Sequence, residues 1–190
     1  EDRIIDNLRK NKDKFDILVV SDYLKGVVTP RILEEVGKYT ASKTVIGTTR
    51  ENALRLKNFS LIGLNDYETV STYEDVKEDE AIPEEKIVKY GTKLLSDTNS
   101  KNLILTRGEK GMSLFEKDRS VTHIPAKAKE VYSLIGAGDT VVATIALALA
   151  SGASLEEAAT IANIAAGIKV GKIGTASVSI EEIKNGIENL

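Results

Sequence analysis

The 190-residue sequence contains no cysteine and a single histidine. Without cysteine, disulfides and thiolate metal sites are excluded, and the absence fits a reducing cytoplasm. The lone histidine, His123, falls in a stretch that reads as a β-hairpin, where a solvated or core-edge position is expected. Charge of one sign is also scarce. The formal net charge is -3, which gives no reason to expect nucleic acid or an anionic membrane as partner. Long apolar runs are missing too: the longest, Val141 to Ala150 with Thr144 inside it, is too short to cross a bilayer. No basic stretch followed by an apolar core opens the sequence, so no signal peptide is expected. The chain starts at Glu1 on the amphipathic segment DRIIDNLRK and is expected to be a piece of something longer.

What is present is the composition of an ordinary globular domain, 42% hydrophobic and 29% charged. FDILVVSDY, KTVIGTT, FSLIGLN and NLILTRG are short apolar, β-branched runs that read as buried strands. Between them, TPRILEEVGKY starts a helix with Thr29 as N-cap and Pro30 in the first position. PEEKIVKYGTKLLSDT carries a helical stripe at Ile87, Tyr90, Leu94 and Leu95. GMSLFEK and SVTHIP predict an antiparallel hairpin around Lys117, Asp118 and Arg119. Helices are predicted over Thr140–Ala150 and from Leu155 to about Lys169, then over IEEIKNGIENL. Ser154 with Glu157 and Ser179 with Glu182 form capping boxes for the last two. Strands alternating with helices imply a parallel sheet covered on both faces. YEDVKEDEAIPEEK reads as an exposed, solvated connection.

One stretch carries a chemical question. Between Glu130 and Glu156 the only charged residue is Asp139, in SLIGAGDTVVATIALALASG. Gly136 and Gly138 allow a sharp turn and a close approach to a ligand. The helix that follows points unpaired N–H groups back at that turn, a setting that attracts phosphate. Asp139 could cap the helix, or it could accept a proton from a hydroxyl beside the phosphate. A base and an anion hole at one turn would serve phosphoryl transfer, which needs mainly positioning and charge stabilisation. A plain glycine turn with an Asp cap remains the alternative. The pattern is not a P-loop.

GAGDTVVATIALALASG resembles the C-terminal signature of the ribokinase/PfkB carbohydrate kinases. NDYE, LTRGEKGMSLF and AAGIKVGKIGTASVS follow in the family's order. SDYLKG, EVY before the glycine loop and AAGIKVGKIGTASVS are similar to the sugar kinase domain of the bacterial ADP-heptose synthases, which phosphorylate a heptose 7-phosphate at its anomeric hydroxyl. The resemblance runs from about residue 15 to the C-terminus. It implies an α/β fold with a ribokinase-like three-layer (α/β/α), Rossmann-like core and a mostly parallel sheet, whose N-terminal strands and lid are missing. Residues 1–190 are then one domain, the C-terminal nucleotide-binding part of such a kinase.

The resemblance also implies roles. Asp139 would be the base, and backbone N–H groups of Gly136, Ala137, Gly138 and Asp139 would hold the phosphoryl oxygens. Asn65 and Glu68 match an Asn-x-x-Glu element that serves Mg²⁺ and phosphate through water, as suits a hard cation that keeps its waters. A helix cap is the other reading of Asn65. Thr106, Arg107, Gly108 and Gly111 match a nucleotide-phosphate turn. Asn163 falls where the last long helices flank adenine, or is simply a polar residue between packed helices. Asp22 and Lys25, at the C-terminal end of the first strand, face phosphate or sugar, or make a surface ion pair. The implied ligands are ATP, Mg²⁺ and a sugar or sugar phosphate, with a monovalent cation and a homodimer left open. Neither nucleic acid nor a membrane is an expected partner.

Three stretches depart from the subgroup. An Asp-Pro-Lys element is replaced by IGTTREN, where Arg50 could stand near the missing lysine. Thr-Pro-Asn is replaced by GLN, and Asp-Val-Thr before the glycine loop by SLI. These departures keep a second function open, a nucleotide-binding member without catalysis that acts as a regulatory or interaction module. A dehydrogenase is disfavoured, because no Gly-x-Gly-x-x-Gly follows the first strand.

Overall fold

The structure is a computed structural model that describes every residue except 79, 118–120, 128–130 and 189–190. Six strands form one sheet in the order β1-β2-β3-β4-β5-β6, which is also their order in the chain. They are β1 (Ile17–Asp22), β2 (Thr44–Thr49), β3 (Leu61–Asn65), β4 (Asn102–Thr106), β5 (Met112–Glu116) and β6 (Thr122–Ile124). The pairs β1/β2 and β2/β3 are parallel, with Val19 opposite Ile46 and Ile46 opposite Leu61. The pair β5/β6 is antiparallel, with Ser113 opposite His123, as the hairpin pattern predicts. Asp118 and Arg119, expected at its turn, lie outside the described residues.

By their internal contacts the residues fall into two compact units. The first is Glu1–Leu105 with Phe115–Val121. It holds α1 (Asp2–Asn11), α2 (Pro30–Gly37), the short α3 (Asp66–Val70) and α4 (Glu84–Thr98). Thr29 caps α2 by accepting from the Ile32 N–H at 3.4 Å, with Pro30 in the first turn. Ile87, Tyr90, Leu94 and Leu95, the stripe read from the sequence, are all buried on α4. They join Phe59, Ile62, Leu64, Leu103 and Leu105 in one apolar cluster. Each such side chain contributes roughly 1.5–3 kcal/mol by leaving water.

The strand β1 differs from expectation. Only Val20 and Asp22 are buried on it, and Val19 is 40% exposed. Alternate residues of a strand face opposite sides, and among the described strands β1 is the end one, where Val20 and Asp22 face the covered side and Val19 and Ser21 the open one.

The second unit is Thr106–Leu114 with Thr122–Leu190. Here α5 (Ala137–Ala150) packs on α6 (Leu155–Val170), and α6 packs on α7 (Ile180–Glu188). Buried Ala158, Ala159, Ala162 and Ala165 keep the surface of α6 low enough for close packing. Both predicted capping boxes are present. Ser154 accepts from the Glu157 N–H at 3.3 Å and Ser179 from the Glu182 N–H at 3.2 Å. In each, the glutamate accepts the serine N–H at 2.8 Å.

Candidate functional site

The helix α5 begins three residues before the expected Thr140, at Ala137. Gly136 is its N-cap at φ 79°, a left-handed conformation that glycine adopts without a Cβ penalty. The first helical hydrogen bond runs from the Thr140 N–H to the Gly136 carbonyl at 3.0 Å. Asp139 is therefore the third helical residue and not the cap, because the glycine already makes the turn. It is exposed, and its carboxylate lies in the first turn, where the helix dipole favours negative charge. The Ala137 N–H donates to the Leu134 carbonyl at 3.1 Å, so it is committed within the loop. Of the backbone donors the sequence assigns to the anion hole, Gly138 and Asp139 are those at the exposed helix start. Two bonds anchor the approach to this loop: Tyr132 and Ser133 donate their N–H groups to the Val170 carbonyl at 2.7 and 3.1 Å.

In the same unit, Arg107 to Gly111 closes into a tight turn. The Arg107 N–H donates to the Gly111 carbonyl at 2.8 Å, and the Gly111 N–H to the Gly108 carbonyl at 3.1 Å. Gly111 has φ 83°, and a Cβ there would sit 2.1 Å from the Ile124 carbonyl oxygen, so no other residue fits without moving β6. The Arg107 side chain is buried and turns into the hairpin, donating to Ser113 Oγ at 3.0 Å. Ser113 Oγ lies 2.9 Å from His123 Nδ1. Asn163 is buried on α6 and donates from Nδ2 to the Pro125 carbonyl at 2.6 Å, holding the segment that leaves β6.

In the first unit, the C-terminal ends of three neighbouring strands carry the other expected residues. At the end of β3, Asn65 and Glu68 form a capping box. Asn65 Oδ1 accepts the Glu68 N–H at 2.6 Å, and Glu68 Oε2 accepts the Asn65 N–H at 2.9 Å. Burial pushes the Glu68 carboxyl above its usual range, against the opposing pull of the Asn65 N–H and the Arg50 charge. Arg50, which the sequence offers in place of the missing lysine, stands just past β2. Its Nη1 is 3.8 Å from Glu68 Oε1, its guanidinium lies over the Tyr23 ring, and its N–H donates to the Asp22 carbonyl at 3.3 Å. Asp22, at the end of β1, is buried with both oxygens engaged. Oδ1 accepts the Leu24 N–H at 2.9 Å, and Oδ2 accepts from Arg55 Nη1 at 2.8 Å. Lys25 is exposed on the following turn.

The pfkB family carbohydrate kinase model matches residues 5–183. The chain belongs to this family. "Bifunctional protein HldE" of Geobacter sulfurreducens is 38% identical over 186 residues, which is 96% of this chain and 37% of that protein. "Bifunctional protein HldE" of Actinobacillus pleuropneumoniae serotype 5b is 34% identical over 189 residues, 99% of this chain and 39% of that protein. The pfkB chain thus spans under two fifths of the length of either relative.

Solved structures share the fold. Arabidopsis thaliana ribokinase, complexed with ribose and ATP, superposes with a TM-score of 0.80 at 21% identity, covering 99% of this chain and 59% of that one. Phosphofructokinase-2 from Escherichia coli, in complex with substrates and products, gives 0.77 at 20% identity, covering 97% and 61%. The fold of this pfkB chain is ribokinase-like.

Sequence reasoning missed three residues that shape these sites. Arg55 holds Asp22 and also donates to the Val28 carbonyl at 2.6 Å, yet it looks in sequence like any charged residue of a loop. Ser113 receives Arg107 from inside a strand. Lys169 reads as a polar residue at the end of a helix, yet it is only 1% exposed.

Proposed function

We propose that this chain is the C-terminal, nucleotide-binding part of an ATP-dependent kinase that phosphorylates a hydroxyl of a sugar or sugar phosphate. The observation that carries the reading is the start of α5: Gly136 in a left-handed cap, with the exposed Asp139 carboxylate in the first helical turn. The N–H groups of Gly138 and Asp139 would hold phosphoryl oxygens, and Asp139 would take the proton from the acceptor hydroxyl. The Thr106–Gly111 turn would meet the nucleotide phosphates through its backbone, since the Arg107 side chain is engaged inward. Asn163 would keep the β6 exit in place beside the adenine position. Lys25 and Arg50 would meet sugar or phosphate at the strand ends, with Asp22 fixing that turn.

The donor set fits a magnesium ion held through water. Glu68 Oε2 is committed to the cap, while Oε1 stands 3.8 Å from Arg50 Nη1, beyond hydrogen-bond length, and is the oxygen that would orient the ion's water. The ion, when bound with the nucleotide, supplies neutralisation of phosphate charge. The likeness to the HldE proteins supports a heptose 7-phosphate, accepting at its anomeric hydroxyl, as the substrate. In the full-length protein, Asp139→Asn should lower kcat by at least a thousandfold and leave ATP affinity within a few-fold. Undiminished turnover would remove Asp139 as the base.

One observation favours a second reading, a family member that binds nucleotide without turnover. Asp22, Asn65, Glu68, Arg107 and Asn163 each commit a side-chain polar atom to a partner inside the fold. Screening sugar phosphates against the full-length protein separates the two: turnover of any one ends the second reading, and ATP binding with no turnover favours it.

A further inference from the structure

Lys169 is the sole lysine of α6 and is 1% exposed, a rare state for a lysine without an ionic partner. Its Nζ donates to the Gly174 carbonyl at 2.8 Å. No described carboxylate forms an ion pair with it. Lys172, one turn on, shows the contrast. It also reaches five residues ahead, to the Ser177 carbonyl at 2.8 Å, but it is paired with Glu182 Oε1 at 2.5 Å. The same segment thus holds one lysine with a carboxylate and one with none among the described residues.

The lysine with no described carboxylate beside it is the one that borders the glycine loop. A Cβ built on Gly136 would lie 3.5 Å from Lys169 Cε, which makes Lys169 the neighbour that the left-handed cap packs against. Burying a cation with only a carbonyl for company is costly, and an anion arriving nearby offsets that cost. The start of α5, just past Gly136, is where such an anion would sit.

We propose that Lys169 is a positioning residue for the glycine loop, a buried positive charge that backs Gly136 and strengthens the hold of the α5 N-terminus on a phosphate. This rests on reading that loop as the phosphoryl site. In this arrangement the Gly174 carbonyl fixes the ammonium, the ammonium stem supports Gly136, and the charge favours ligands that carry phosphate over those that do not.

The test compares ATP with adenosine by calorimetry on the full-length protein and its Lys169→Met and Lys169→Arg variants. Lys169→Met should lose roughly tenfold in ATP affinity, about 1.4 kcal/mol, and keep its adenosine affinity and its KM for sugar. Lys169→Arg should stay within about threefold of the parent for all three. Parental ATP affinity in Lys169→Met would overturn the proposal. So would an equal loss for ATP and adenosine, since that marks a collapsed loop and not a missing charge. If Lys169→Met does not fold, Lys169→Gln keeps an N–H donor for Gly174 and carries the same expectation and the same refutation. A parent that binds ATP but phosphorylates no sugar overturns the catalytic reading alone. A parent that binds no ATP overturns both.

Discussion

Replacing Gly111 by alanine should be far more damaging than the same change three residues earlier. At Gly111 the added Cβ would meet the Ile124 carbonyl oxygen at 2.1 Å, the Ala126 nitrogen at 2.5 Å and the Pro125 carbonyl carbon at 2.6 Å. All three are backbone atoms that cannot rotate away, so β6 must move by more than an ångström. That motion strains the pairing of Met112 with Ile124 and the Asn163 bond to the Pro125 carbonyl. The φ of 83° adds about 1–2 kcal/mol for a residue with a Cβ. One or two weakened hydrogen bonds add about 1–2 kcal/mol more, and the disturbed burial of Ile124 roughly another 1 kcal/mol. The loss should therefore be about 3–5 kcal/mol. Gly108 has φ 55° but nothing within 4 Å of its added Cβ, so Gly108→Ala should cost only about 1 kcal/mol. Urea titration of the two variants beside the parent reads the difference as a midpoint shift of about 1 M or more. Equal losses in the two variants would refute the argument that backbone crowding, and not the left-handed φ, makes Gly111 obligatory.

Two further outcomes concern charge. Arg55→Leu strands the buried Asp22 carboxylate, which keeps the Leu24 N–H and loses the guanidinium. Thermal unfolding should show a loss of about 3 kcal/mol, partly restored when Asp22→Asn is added, and additive losses would contradict the pairing. Glu35 is held down to about 2 by hydrogen bonds from Arg9 and Lys38. A folded pKa below the usual carboxylate range means that its stabilisation is complete above about pH 4.5 and is lost as pH falls towards 2. Because Arg9 is 56% exposed, the stabilisation is about 1–2 kcal/mol and not the full shift. Urea midpoints at pH 6 and pH 3 should converge in Glu35→Gln relative to the parent, and an unchanged acid slope would exclude Glu35 as its source.

The sequence was most legible where local chemistry decides the outcome. Thr29 before Pro30, Ser154 before Glu157 and the Ile87–Leu95 stripe each bring their own donor, acceptor or apolar face, so their elements form where the pattern places them. The start of α5 was misplaced because an Asp after glycines looks like a cap, and only the backbone angle of Gly136 reveals that the turn is already complete. Exposure of β1 was missed because an apolar strand reads the same at the middle of a sheet and at its end. The candidate site residues come from motif order, which carries no information about their present partners. Arg55 reaches Asp22 across 33 residues and Asn163 reaches Pro125 across 38, distances over which no periodicity speaks.

The strand order has a consequence for how the protein comes into being. Each described strand after β1 lies beside the one made just before it, so this part of the sheet grows in a single direction as synthesis proceeds. Among the described strands none pairs across an intervening one, and each edge is covered by the next strand delivered. Short separations between pairing segments lower the entropy of closing each connection and favour quick assembly. Among the described strands the last is β6, which at three residues is too short to template another chain.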